Sequence, residues 1–282
     1  MNKWHRPQAG SRFVSVDGMR MHYTRTGQGP LIVMLHGSGS SLQGFEQVAA
    51  RLSRSFTVIC PDLPGFGLTG PRPDRDYRVP TYAVAVTRFM QALELPACTL
   101  VGNSLGGNIA WNMALDFPER LNALVLINAT GYPGKSLPCA LRLARVPVLR
   151  ALLRIWLPSS ATARSLRSAV GPSSTIIDSA MISRVHGLMS LPGNRSAFVD
   201  VANTDQKDRS AQIPHITTPT LVLRSAAVHE QHFTQDITGS VERVHSEAGH
   251  LLPEEDPAWV SDAIEAFLCS GAHRNQAQGY PR

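Results

Sequence analysis

Short apolar runs at regular spacing dominate the chain. Residues 31–35, 57–60, 99–101 and 124–127 are rich in Leu, Ile and Val and are bounded by Gly, Pro and polar residues. Such runs, which do not alternate with polar positions, predict strands buried on both faces of a parallel sheet. Between them, residues 42–52, 82–93 and 108–116 carry apolar side chains at helical spacing. The last of these stops at Phe117-Pro118, where proline cannot continue a helix. Ahead of the first run, residues 13–16 and 19–25 flank Asp17-Gly18, a pair suited to a two-residue hairpin turn.

The rhythm breaks after Asn128. From Lys135 to about Asp208 there is no strand signal, and helix-like stretches are punctuated by Pro138, Pro147, Pro158, Pro172 and Pro192. Strand signals resume at 220–223 and 241–245, and an amphipathic helix at 258–268 closes the pattern. The ending, 271–282, is polar and expected to be disordered. The chain thus divides into a first core part at 1–134, a helical insert at 135–208, a second core part at 209–270 and a tail. Its 282 residues, 43% of them hydrophobic, suffice for a sheet covered by helices on both faces.

The densest chemical signal is Gly102-Asn103-Ser104-Leu105-Gly106-Gly107, between an apolar run and a helix-like stretch. This is a Gly-x-Ser-x-Gly nucleophile elbow in the context it requires, strand then sharp turn then helix. A serine there sits in a strained backbone conformation that raises its hydroxyl above the sheet edge, and only residues without bulk fit beside it. The turn also aims the backbone N–H of Leu105 at the place where an oxyanion would form. Ser104 is the candidate nucleophile. Among the histidines, His250 follows the last strand signal on a glycine turn, and the residues after it cap the final helix, which makes it the candidate general base. His36 reads instead as a loop-ordering histidine and Asp62 as a turn carboxylate.

With these pieces in order, the chain resembles the α/β-hydrolase superfamily from residue 13 to 268. His36-Gly37-Ser38-Gly39 is similar to that family's oxyanion loop, which implies a second oxyanion donor from the N–H of Ser38. Pro61-Asp62-Leu63-Pro64-Gly65-Phe66-Gly67 resembles its turn after the next strand, and Ala248-Gly249-His250 its catalytic-histidine loop. The insert then corresponds to a cap inserted after the sixth strand of a mostly parallel sheet. The implied activity is that of a serine hydrolase acting on a small or medium, largely apolar ester, with no cofactor. Carbon-carbon bond hydrolases of diketone-type substrates share Gly-Asn-Ser-x-Gly-Gly and His-Gly-Ser-Gly, but they carry an aromatic residue where Leu251 and Leu252 stand here.

The chain departs from the family at the third member of the triad. Where the resemblance implies an acid, beyond Thr220-Leu221-Val222-Leu223, it reads Arg224-Ser225-Ala226-Ala227-Val228, without a carboxylate. The acid loop is expected to be shortened, with residues 228–237 forming the helix that follows it. Glu230 is one candidate substitute acid. Another carboxylate, or Asn128 through a neutral hydrogen bond, is a second way to orient His250. A weak dyad, or a binding protein that kept the fold and lost the chemistry, is the third outcome.

Charge adds one more feature. The net charge is +6, and nine Lys and Arg residues lie between Lys135 and Arg195, where Asp178 is the only acid. At 141–157 arginines interleave with Leu, Val, Ile and Trp in a basic amphipathic pattern. The plainer expectation is solvated faces of insert helices whose apolar sides cover the active site. The sharper one is weak contact with an anionic membrane surface or an acidic substrate. Nothing resembles a nucleic-acid recognition helix or a stacking platform. The histidines and the cysteines Cys60, Cys98, Cys139 and Cys269 show no metal-ligand or disulfide spacing. No apolar run spans a bilayer and the first residues lack the hydrophobic stretch of a signal peptide, so a cytoplasmic location is expected.

Overall fold

The structure is a computed structural model that describes residues 3–133, 142, 144–229 and 231–270. Glu230, the tail at 271–282 and residues 135–141 and 143 of the insert lie outside the described residues. Eight strands form one sheet: β1 (Arg12–Val16), β2 (Met19–Thr26), β3 (Leu31–Leu35), β4 (Thr57–Pro61), β5 (Cys98–Asn103), β6 (Leu121–Ile127), β7 (Thr220–Ser225) and β8 (Val241–His245). Their order across the sheet is β1-β2-β4-β3-β5-β6-β7-β8. The strands from β3 to β8 pair in parallel, and β2 pairs antiparallel with both β1 and β4. The β1–β2 hairpin turns at Asp17 and Gly18, both at positive φ, the geometry that a right-twisted two-residue turn demands.

The helices cover both faces, and the strand periodicity decides which residues meet them. Val33 and Leu35 of β3 face α2 (Val79–Ala92) and α3 (Leu105–Asp116), where Tyr82, Phe89 and Trp111 are fully buried. Ile32 and Met34 face α1 (Glu46–Leu52) and the final helix, α10 (Pro257–Cys269), through Leu52, Val260 and Ile264. Burial in the sheet pushes the thiols of Cys60 and Cys98 up to about 12, so neither is a thiolate at neutral pH.

Between β6 and β7 run α4 (Pro147–Ile155), α5 (Ser159–Arg167), α6 (Ser179–Met189) and α7 (Asn194–Asn203). The expectation that apolar sides here turn inward fails for α4, which has no buried residue. It rests on α7 by one flank, through Leu153 against Ala144, Val199 and Ala202, and leaves Val148, Leu152 and Ile155 exposed. The element after β7 also differs from expectation: α8 is only Phe233–Asp236, and β7 ends in a tight turn in which the Val228 N–H donates to Ser225 O at 2.9 Å. A second short helix, α9 (Leu252–Glu255), precedes α10. Among the described residues, no helix is long and apolar enough to cross a membrane.

Phe89 stacks edge-on against Tyr23 of β2 with ring centroids 5.4 Å apart, tying α2 to the antiparallel corner of the sheet. Phe89→Ala should therefore cost about 3–5 kcal/mol of unfolding free energy, measured by denaturant titration, whereas a change at the exposed Val84 on the same helix should cost far less.

Candidate active site

Ser104 stands between β5 and α3 with φ 54° and ψ −112°, outside the regions open to most side chains. Three backbone hydrogen bonds hold it there. Its N–H donates to Ile127 O at 3.0 Å, and its carbonyl accepts the N–H groups of Asn108 and Thr130 at 3.0 and 3.2 Å. The flanking glycines are required by contact. A Cβ on Gly106 would lie 2.0 Å from Leu35 O, and one on Gly102 would lie 2.3 Å from Gly106 O. The start of α3 is thereby pressed onto the ends of β3 and β5. The Ser104 side chain makes no capping bond to α3, so its hydroxyl is not spent on the helix it precedes. Leu105 is the first residue of that helix, and its N–H belongs to the turn whose donors have no intrahelical acceptor.

The loop after β3 lies directly against this turn. A Cβ on Gly37 would sit 3.2 Å from Ser104 Cβ, and Ser38 follows in a turn with Gly39 at φ 73°. His36 ties this loop to the one after β4. Its Nε2 accepts the Leu63 N–H at 3.0 Å, so Nδ1 carries the proton and donates to Gly37 O at 2.8 Å. Burial holds its pKa below the ordinary imidazole value, against the opposing pull of Asp62 and the Gly37 carbonyl.

His250 lies in the loop between β8 and α9. Its N–H donates to Ala169 O at 2.6 Å. The neighbouring residues bring that loop to the elbow: Leu251 and Glu254 line one cleft with His36, Gly37 and Asn103. A second cleft shares Ser40 with it and is walled by Phe66 on one side and by Val185, Leu188 and Met189 of α6 on the other. Asn103 Oδ1 and Asn194 Oδ1 are buried without a hydrogen-bond partner, and each residue lines one of the two clefts.

Where the acid loop was expected, the structure holds a polar clamp. Asn128, fully buried at φ 42°, accepts the Ser225 N–H on Oδ1 at 2.9 Å. Its Nδ2 donates to Ser225 Oγ at 3.0 Å, Gly249 O at 3.2 Å and His250 O at 3.4 Å. Ser225 Oγ in turn donates to Gly249 O at 2.5 Å. Asn128 thus grips the backbone of the histidine loop. The sequence pointed to Asn128 but not to Ser225, whose only signal is its place at the end of β7.

The insert reaches the same loop from above. Glu255 accepts the Gly171 N–H at 2.7 Å and the Gly249 N–H at 2.9 Å, one on each carboxylate oxygen. The two backbones touch: a Cβ on Gly171 would lie 2.0 Å from Glu247 O, and one on Gly249 would lie 2.4 Å from the Val170 carbonyl carbon. Arg184 of α6 forms an ion pair with Glu254 of α9. The Gly171–Glu255 and Arg184–Glu254 pairings are not visible in the sequence, because their partners lie 84 and 70 positions apart.

A complete Ser–His–Asp relay exists elsewhere. Ser11 Oγ is 2.8 Å from His22 Nε2, and His22 Nδ1 is 2.7 Å from Asp62 Oδ2. Asp62 also accepts the N–H groups of Leu42 and Leu68, both at 2.8 Å, and Ser11 Oγ accepts the Gln8 N–H. Ser11 precedes a strand and starts no helix, so it has no array of donors for an oxyanion. This relay fastens the β1–β2 hairpin to the loops after β3 and β4. Among the described residues, no group of three His, Cys, Asp or Glu side chains is placed to hold a metal.

A family model described as the alpha/beta hydrolase fold matches residues 30–165. An uncharacterized protein of Mycobacterium tuberculosis is 31% identical over 91% of this chain and 80% of its own length. A 2-hydroxy-6-oxononadienedioate/2-hydroxy-6-oxononatrienedioate hydrolase of Burkholderia vietnamiensis is 30% identical over 78% of this chain and 80% of its own. Among solved structures, a thermophilic esterase from Thermogutta terrifontis superposes with a TM-score of 0.78 at 24% identity, covering 94% of this chain and all of that one.

Two predictions follow from this geometry. His36 binds fewer protons folded than unfolded, so its contribution to stability is complete above the unfolded value near 6.5 and is lost as pH falls through the lower folded value. Urea unfolding at pH 7.5 and 5.5 should show a decline, at most about 1.4 kcal/mol per pH unit from this group, that is smaller in His36→Asn. Asn128→Asp keeps the shape but replaces a donor facing two carbonyls with an acceptor-only group. Its melting temperature should fall well below that of the wild type; an unchanged value would show that the clamp does not bear on the loop.

Proposed function

The chain belongs to the α/β-hydrolase family, and we propose that it is a serine hydrolase cleaving a small or medium, largely apolar carboxylic ester through an acyl-enzyme on Ser104. The observation that carries this reading is the Ser104 backbone at φ 54°, held by three backbone hydrogen bonds and flanked by Gly102 and Gly106, where a Cβ would meet backbone oxygens at 2.3 and 2.0 Å. Strain of this kind persists only where neighbours enforce it, and it serves to project the hydroxyl.

In this reading the Ser104 hydroxyl attacks the acyl carbon while His250 accepts its proton. The N–H groups of Ser38 and Leu105 hold the oxygen that becomes negative, aided by the positive end of α3. His250 returns the proton to the departing alcohol, and water then releases the acid by the same steps in reverse roles. Phe66, Leu188 and Met189 favour an apolar acyl or alcohol group. The unpartnered acceptors on Asn103 and Asn194 would suit a donor on the substrate.

A carbon-carbon bond hydrolase is the second reading, favoured by the identity to the Burkholderia vietnamiensis enzyme and by the shared elbow and oxyanion-loop residues. Leu251 and Leu252 weigh against it. A family member without turnover, acting as a binding protein, is the third.

A fluorophosphonate probe should label the wild type and leave Ser104→Ala unlabelled, with both proteins folded by circular dichroism. Turnover of short p-nitrophenyl esters should fall by about 10⁴ or more in Ser104→Ala and in His250→Ala. Equal labelling of the wild type and Ser104→Ala would sink the nucleophile. Labelling without ester turnover, but with cleavage of a dienoate diketone, would select the second reading.

A further inference from the structure

The outer face of α4 joins two properties that seldom coexist on a surface in water. Val148 is 78% exposed, Leu152 48%, Ile155 77% and Trp156 58%, and Val146, just ahead of the helix, is 45% exposed. Of the eight large apolar residues exposed among those described, these five fall within eleven consecutive positions. Residues 148, 152 and 155 recur at the spacing that places them on one side of a helix, and Trp156 continues that side at its end. The opposite flank is anchored: Leu153 packs on the cluster of Ala144, Val199 and Ala202, and Arg154 pairs with Asp200 of α7 at 2.6 Å. The apolar stripe is therefore held outward by a fixed support.

The flanking sequence is cationic. Arg142, Arg150, Arg164 and Arg167 are all exposed. Asp178, the sole acid between residues 135 and 195, is occupied in capping α6 through the Met181 N–H. Asp200 is already shared by Arg75 and Arg154. Among the described residues none of these four arginines forms an ion pair, and Arg150 reaches only the amide oxygen of Asn203, at 3.5 Å.

We propose that α4 is an interfacial helix by which the protein docks on an anionic lipid surface, with Val148, Leu152, Ile155 and Trp156 among the acyl chains and the arginines on the headgroups. A short helix with an aliphatic stripe, a terminal tryptophan and basic flanks has the chemistry of such a surface. Charge decides between this occupant and a second copy of the chain. A two-fold self-contact would set the same arginines against each other, whereas anionic headgroups neutralise them. The docking needs nothing from Ser104 and stands whichever substrate the site takes.

Co-sedimentation of the full chain with phosphatidylglycerol vesicles and with phosphatidylcholine vesicles, at low and high salt, tests this. Binding is expected to phosphatidylglycerol at low salt, with strong weakening in high salt and on phosphatidylcholine. Arg150→Gln should lower the partition coefficient about fivefold. Ile155→Ser combined with Trp156→Ser should lower it more than about tenfold, with the melting temperature and ester turnover unchanged. The proposal is overturned by absence of binding to phosphatidylglycerol, by equal binding to both lipids, or by partition indifferent to these variants. A concentration-dependent dimer abolished by the Ile155 and Trp156 changes would overturn it too, assigning the face to a second copy.

Discussion

The approach of α3 to the sheet is the constraint on which the rest of the site depends. A helix normally stands off a strand by the depth of its side chains, but here Gly106 leaves room for the Leu35 carbonyl and Gly107 for Ala129. Because the backbones meet, the chain must turn sharply at Ser104, and the turn forces its φ positive. The hydrogen bonds from Ser104 to Ile127, Asn108 and Thr130 tie that turn to β6 and to the loop after it. Strain, the position of the Ser104 side chain and the aim of the helix N-terminus are one geometric fact.

Around that fixed point, three separate loops are ordered by buried or half-buried polar groups. Asp62 gathers the hairpin and the loops after β3 and β4, and neutral His36 joins two of them. Asn128 and Ser225 hold the histidine loop to the ends of β6 and β7. Glu255 joins that loop to the insert. Asp62, His36, Asn128 and Glu255 each satisfy two or more backbone groups at once, which ties each loop to its neighbours.

The sequence was most legible where a local rule governs a local structure. Buried apolar runs located five parallel strands to within a few residues, a mixed polar and β-branched stretch located β8, Asp17-Gly18 located the hairpin, and the elbow glycines identified the strained serine. It was least legible where structure comes from pairing across distance. The Glu255 bridge, the Arg184–Glu254 pair and the Ser225 clamp join residues with no shared local pattern. The insert shows both limits, since its helices were expected from periodicity, yet the direction of α4 was not. Periodicity states that a helix has an apolar side; only the packing of Leu153 on α7 states which part of it is left outside.

In the proposed reading, the clamp bears on what a histidine needs in acyl transfer. An acid at the ring does two jobs, fixing where the imidazole sits and fixing which nitrogen carries the proton. Asn128 and Ser225 act on the carbonyls of Gly249 and His250, so they do the first job through the backbone and leave the second to whatever meets the ring. Position is thereby separated from tautomer. With the turn at Ser225–Val228 drawn tight and without a carboxylate at 224–229, the end of β7 contributes a structural brace at the place where the resemblance led one to expect a proton partner. The amide of Asn128 suits this brace in a way that a carboxylate does not, because two carbonyls face it and only a donor can satisfy both. That amide ties the backbone of His250 to the ends of β6 and β7.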